Sequence, residues 1–204
     1  VLSKEILENH ERYLERKEIY RNFGFDMDRE RKIVLEKAGP IVGDILEIGT
    51  GKGYFTILLA QEGYRFVSVD ISGEEQKTAR LNLEYFKLEN FVDFKVGNAE
   101  HLSFKDNSFG TIFSINTAHH FMNPFKVLDE LLRVMSCSGK LVISDFSKEG
   151  LDIIDKVHSS EGRIHETSRF SLKDIEAYLK RKGFHTEKHT GIFQEIITAR
   201  GPLI

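Results

Sequence analysis

The chain of 204 residues has a single cysteine, Cys137, so it forms no internal disulfide and suits a reducing compartment. Cys137 stands beside a turn expected before a strand, a place for an incidental thiol rather than a nucleophile. No apolar run approaches the roughly 18 residues that a membrane span requires. The opening residues are charged and helix-forming, unlike a signal peptide, so a cytoplasmic location without a membrane partner is expected. Basic residues are not in excess: 29 Lys and Arg against 32 Asp and Glu leave a net charge of −3, which opposes a general electrostatic grip on nucleic acid. Arg12, Arg16, Lys17 and Arg21 lie close together, but Glu11, Glu15 and Glu18 share the stretch, which reads as a solvated helix face. No repeat, low-complexity tract or linker marks off a second unit, and the length suits one domain with a substantial core.

What the chain does carry is the run LEIGTGKGYFT, Leu46 to Thr56. A short apolar strand, Asp44 to Ile48, feeds a turn with glycine at 49, 51 and 53, and a helix starts near Tyr54. Alternating glycines reach positive φ and let backbone approach a ligand. The helix start adds unpaired N–H groups that favour an anionic group. Around this loop, helices are expected over Ser3 to Arg21, Asp28 to Ala38, Ser72 to Leu88, Pro124 to Val134 and Ser171 to Lys182. Strands are expected at Arg65 to Asp70, Phe91 to Val96, Gly110 to Ile115 and Lys140 to Phe146. The stretch Gly150 to Arg169 reads as helix broken at Gly162. Two last strands, near Phe184 to His189 and Phe193 to Ala199, are joined by so short a turn that they form a hairpin, and one must run against the rest. The pattern is α/β: a doubly wound, mostly parallel sheet behind an N-terminal helical cap over residues 1–38, with residues 40–204 as the nucleotide-binding unit.

The spacing narrows the nucleotide. A dinucleotide loop wants G-x-G-x-x-G, and Tyr54 occupies the place of the third glycine; a P-loop wants Gly-Lys-Ser/Thr, and Lys52 is followed by Gly53. Asp70 lies 21 residues after Gly49, where a dinucleotide fold would also place an acid, so it does not discriminate alone. Taken together, E-I-G-T-G-K-G, Asp70 at the end of the second strand, and GNAEHLSFKDNSF from Gly97 to Phe109 resemble the class I S-adenosylmethionine-dependent methyltransferases that share a type 11 domain. The resemblance covers most of residues 40–146. It implies a seven-stranded Rossmann-like sheet with an antiparallel C-terminal strand, and S-adenosylmethionine as donor with S-adenosylhomocysteine as product. It also implies a cofactor site at Glu47, Gly49, Thr50, Gly51, Gly53, Asp70, Ile71, Asn98, Ala99 and Asn116. Asp70 would accept from the ribose hydroxyls, and Asn98 from the adenine amino group. Ile71 and Ala99 would face the adenine ring, and Glu47 would position the loop or meet the cofactor's ammonium group. Asn98 departs from the family's usual Asp, Ser103 from its Pro and Gly110 from its Asp; the latter two shape the turn and the strand start.

Methyl transfer from a sulfonium is an in-line displacement, so a catalytic triad is not required, and a base only if the acceptor arrives protonated. The acceptor is expected beyond the fourth strand, at INTAHHF, where His119 and His120 are the catalytic candidates. His158, Glu161 and His165 in VHSSEGRIHE are substrate candidates. On an unbroken helix the two histidines would be about 10 Å apart along the axis, too far to share a metal ion, whereas a bend at Gly162 would close that distance; no metal is assigned. Tyr20, Phe23 and Phe25 are candidate lid residues. An N-P-P-Y-type tetrapeptide, a zinc ribbon and a recognition domain are all missing, which favours a small-molecule acceptor over nucleic acid. Two alternatives stay open: a cofactor-binding regulatory protein without turnover, and a nucleic-acid or protein methyltransferase. Tyr54 argues against an NAD-dependent oxidoreductase. The expected assembly is a monomer or homodimer.

Overall fold

A computed structural model describes residues 2–162 and 170–201. Two helices, α1 (Lys4–Asn22) and α2 (Met27–Ala38), precede the sheet. Ser3 caps α1 by accepting from the Ile6 N–H, and Asp26 caps α2 by accepting from the N–H groups of Asp28 and Arg29. The chain then alternates: β1 (Ile45–Ile48), α3 (Tyr54–Gln61), β2 (Phe66–Asp70), α4 (Gly73–Phe86), β3 (Val92–Val96) and β4 (Phe109–Ile115). It continues through α5 (Pro124–Val134), β5 (Met135–Phe146), α6 (Lys148–Ser160), α7 (Leu172–Arg181), β6 (His185–Thr190) and β7 (Gln194–Arg200).

The sheet order is β3-β2-β1-β4-β5-β7-β6, with β7 antiparallel to both its neighbours and every other pairing parallel. The short Thr190-Gly191 turn dictates this, because strands so closely linked can only pair antiparallel. Strand order reverses between β1 and β4, and a crevice opens there at the carboxyl ends of the strands.

Two apolar layers follow from the period-two alternation of the strands. Leu46, Ile48, Ile112, Leu141, Ile143 and Ile197 turn to one side, where α5 and α7 bring Leu128, Leu131, Ile175 and Leu179. Ile45, Phe113, Val142 and Ile196 turn to the other, against Val34 of α2, Leu59 of α3 and Leu83 of α4. A third, smaller cluster joins Tyr20, Phe25 and Met27 to Ile154 and Val157 of α6, so the first two helices and α6 meet over one end of the crevice.

Two elements differ from the sequence reading. β5 begins at Met135 rather than Lys140, because Met135 pairs with Phe109 before a register shift carries the ladder on at Thr111 and Lys140. Gly162, expected as a break, follows the end of α6 with φ +69. No described helix is long and apolar enough to cross a membrane.

Lys140 is buried in β5 and donates to the carbonyl oxygens of Ala38 and Pro40, tying the end of α2 to the sheet. Lys140→Met would leave both acceptors without that donor. The expected loss of stability is about 1–3 kcal/mol, read as a lower urea midpoint at unchanged slope. An unchanged midpoint would show that the tie contributes nothing.

Candidate active site

The three glycines of the loop hold left-handed φ values of 87, 49 and 86. Two of them have a steric reason as well. A Cβ on Gly49 would lie 2.1 Å from the Thr117 hydroxyl oxygen, because β1 and β4 leave the sheet in contact. A Cβ on Gly53 would lie 2.8 Å from that of Ala79, so Gly53 lets the head of α3 pack on α4. Gly53 does not line the cleft, and its expected place among cofactor contacts is corrected to this packing role.

Of the two roles expected for Glu47, its place fits the positioning of the loop. It is 2% exposed and turned beneath the loop, where its Oε2 accepts from the hydroxyls of Thr56 (2.8 Å) and Ser68 (2.6 Å). It does not line the cleft. Ser68 in turn shares a 2.6 Å hydrogen bond with Thr50, and Gln76 of α4 donates to Thr50, to the Ser68 carbonyl and to the Lys95 carbonyl. This buried lattice joins β1, β2, β3, α3 and α4 and fixes the loop from below. Burial pushes the Glu47 carboxyl up to about 7, against the pull of its two hydroxyl donors.

The other eight expected cofactor residues all line one cleft of about 580 Å³: Gly49, Thr50, Gly51, Asp70, Ile71, Asn98, Ala99 and Asn116. Asp70 holds the loop closed, its Oδ2 accepting from the Gly51 N–H and its Oδ1 from the Ser72 N–H, both at 2.8 Å. Each oxygen keeps a second lone pair. Ile71 is 73% exposed, an apolar side chain held out at the rim. Asn98 accepts from the Glu100 N–H in a tight turn. Behind it, Arg133 donates to the carbonyls of Leu102 and Phe104 and to the carboxylates of Glu130 and Asp106, bracing the loop that carries Asn98 and Ala99. Asn116 has positive φ (+54), and both its side-chain amide atoms are buried without a protein partner. A buried polar pair in that state, lining a cleft, is one that a ligand can satisfy.

At the other end the cleft is walled by Tyr20, Phe25, Met27, Tyr54, Phe146 and Ile154. His119 and His120 lie on its floor, their rings 4.0 Å apart. The 8%-exposed Asp145, at the carboxyl end of β5, accepts from the His119 N–H at 3.0 Å and meets His119 Nδ1 at 2.6 Å. A carboxylate only accepts, so Nδ1 carries the proton and Nε2 the basic lone pair. Sequence reasoning passed over Asp145, although an acid at the carboxyl end of a central strand is a usable signal.

His158 lines the cleft, as expected of a substrate candidate. Glu161 does not: its carboxylate binds Arg16 at 2.5 Å, linking α1 to the end of α6, and this corrects its assignment. His165 lies outside the described residues. Tyr20 and Phe25 line the cleft, whereas Phe23 is on the surface. Among the described residues no three His, Cys, Asp or Glu side chains are grouped to hold a metal.

The family profile described as a methyltransferase domain matches residues 46–143, the span from β1 to β5. An uncharacterised protein of Methanocaldococcus jannaschii is 32% identical over 155 residues, covering 74% of this chain and 69% of its own. The chain belongs to the class I S-adenosylmethionine-dependent methyltransferases. The demethylmenaquinone methyltransferase of Clavibacter sepedonicus is 27% identical, over 82% of this chain and 76% of its own. The chain spans about half the length of other curated relatives, 48% and 49% in two cases. A methyltransferase from Aquifex aeolicus shares the fold, with a TM-score of 0.66 at 21% identity over 85% of this chain and 90% of its own. S-adenosylmethionine is the family's cofactor, and the residues of the methyltransferase cleft suit it: a carboxylate for vicinal hydroxyls, an exposed apolar side chain for a ring face, and an amide with nothing yet to bond.

The Glu47 carboxyl titrates higher in the folded chain than its ordinary 4.5, so it favours the fold most when protonated. That contribution is complete below about pH 4.5 and lost as pH rises through about 7. Glu47→Gln cannot lose a proton, so its unfolding free energy from urea titration should gain on the parent's across that window, by on the order of 3 kcal/mol once completed. A difference that stays flat from pH 4 to pH 8 would mean Glu47 keeps an ordinary pKa.

Proposed function

We propose that the protein methylates a small, largely apolar acceptor seated between α1, α2 and α6, with His119 withdrawing the acceptor's proton. The observation that carries this reading is the continuity of the cleft. One space of about 580 Å³ runs from Asn98 and Asp70 past the glycine loop to an aromatic pocket whose floor holds a carboxylate-oriented histidine. Such a volume matches a small-molecule site. The net charge of −3 offers no general attraction to a polynucleotide. Some relatives are named for small acceptors, among them demethylmenaquinone, 27-O-demethylrifamycin SV and norajmaline, and one is named for tRNA.

S-adenosylmethionine supplies a methyl group already activated on sulfur. The chain's own part is placement and proton handling. Asp70 binds the ribose hydroxyls, and Asn98 and Ala99 meet the adenine edge. Ile71 covers a ring face, and the Asn116 amide bonds the polar end of the donor. Residues 1–38 act as the cap, bringing Tyr20, Phe25 and Met27 over the cleft so that water is excluded. Asp145 holds the His119 ring with Nε2 basic, and His120 and His158 add polar contacts to the acceptor. A fixed base of this kind contributes typically 10²–10⁴-fold when the acceptor is an alcohol or phenol.

Calorimetric titration with S-adenosylhomocysteine tests the donor half. Binding is expected, and Asp70→Ala should weaken it by about tenfold or more with the fold intact, since charged acceptors make the stronger hydrogen bonds. No binding to the parent at millimolar concentration would end this reading.

Turnover on a panel of phenols, alcohols, thiols and amines tests the other half. Asp145→Asn should lower kcat on hydroxyl acceptors by about 10²-fold or more, while S-adenosylhomocysteine binding is retained. An unchanged kcat would remove His119 as base. A chain that binds the nucleoside but turns over no acceptor would favour the regulatory alternative.

A further inference from the structure

Two arginines face the cleft, and they are not equivalent. Arg16 is neutralised: its guanidinium lies 2.5 Å from the Glu161 carboxylate and donates to the Tyr20 hydroxyl. Arg31, projecting from α2, has no such partner. One of its terminal nitrogens donates to the Met27 carbonyl at 2.9 Å, its Nε is buried without an acceptor, and the guanidinium lies 5.0 Å over the ring of Tyr54. It makes no ion pair with any carboxylate of the described residues. The nearby acids are committed elsewhere, Asp28 to Lys17 at 2.6 Å and Glu47 to its two hydroxyls.

An arginine in this state is expensive. The guanidinium stays charged at any ordinary pH, and withdrawing it part-way from water without a counter-ion costs free energy that stacking on Tyr54 only partly offsets. Burial does act on it in the expected direction, pulling its pKa below the usual arginine value. The group therefore stands ready for an anion, and its planar fork of donors matches a carboxylate.

Its position says which part of a ligand it meets. Tyr54 is the first residue of α3, directly after Gly53, so Arg31 stands over the exit of the glycine loop. Asn98 and Ala99 follow β3, two strands away from β1. A nucleoside with its base at Asn98 and its ribose at Asp70 extends along the loop toward Arg31 with whatever chain its sugar carries.

We infer that Arg31 is the anion anchor of the cleft and takes a carboxylate, either that of the donor's amino-acid chain or one on the acceptor. The inference rests on the cleft being the site of donor and acceptor. The donor's own carboxylate fits the position along the loop better, and two arms separate the sources.

In the first arm, S-adenosylhomocysteine and 5′-methylthioadenosine, which lacks the amino-acid carboxylate, are titrated into the parent, Arg31→Met and Arg31→Lys. The Met variant should lose about 30-fold or more in affinity for S-adenosylhomocysteine, as expected when one partner of a buried charge pair is removed. Its affinity for methylthioadenosine should stay unchanged, which also reports an intact fold, and Lys should recover part of the loss.

In the second arm, simple aryl and alkyl carboxylates are titrated into protein saturated with S-adenosylhomocysteine. Binding by the parent that vanishes in Arg31→Met, with nucleoside affinity unaltered, assigns the anchor to the acceptor. If Arg31→Met alters neither, or weakens both nucleosides equally, the inference is overturned. If the parent binds neither nucleoside, the donor site itself is refuted and the anchor falls with it.

Discussion

The cleft exists because β1 and β4 leave the sheet side by side and diverge over a contact with no room for a Cβ. Gly49 and Thr117 touch at that point, and any side chain at 49 would occupy the space of the Thr117 hydroxyl. Two of the segments that line the cleft lead from the strand ends so held. One end leads into the glycine loop and Asp70's grip on it. The other leads through Asn116, with its left-handed φ, into the short turn that carries His119 and His120. The close approach at that point is a backbone-to-side-chain contact between Gly49 and Thr117.

Around that contact the two acidic residues of the loop region divide the work. Asp70 faces the cleft and uses one lone pair per oxygen on backbone N–H groups, keeping the others for a ligand. Glu47 faces away and uses its carboxyl on Thr56 and Ser68, inside a lattice completed by Thr50 and Gln76. A buried acid is a costly way to hold two helices and three strands together, as its raised pKa shows. What it gains is rigidity directly beneath the loop, where small displacements would be felt by a bound nucleoside.

The donor half of the site was legible because it is local. Leu46 to Thr56 folds as strand, turn and helix start within one stretch, Asp70 ends β2 with Ile71 next to it, and Asn98 and Ala99 follow β3, all within the span of the family resemblance. Glu47 and Gly53 were placed in the site by adjacency in sequence, yet strand alternation sends Glu47 to the opposite layer and Gly53 meets Ala79 instead. Their orientation depends on α3 and α4 packing below the sheet, which spacing does not encode. β5 was cut short for a similar reason, since the pairing of Met135 with Phe109 crosses a register shift.

The helix-walled end of the cleft was less legible because it is assembled from distant pieces. Arg16, Arg31 and His158 come from α1, α2 and α6, and only tertiary packing brings them to one space. Nothing in the local sequence distinguishes Glu161, which is spent on Arg16, from His158, which faces the cleft. The asymmetry has a physical source. A nucleoside common to a family needs the same few backbone and carboxylate contacts each time, and these can be built into one sheet edge. An acceptor is met by side chains on helices that pack over that edge, where a change at Tyr20, Met27 or Ile154 reshapes the pocket and leaves Gly49 and Thr117 in contact. The same scaffold can therefore keep the loop unchanged while the helices packed over the cleft vary the pocket above it.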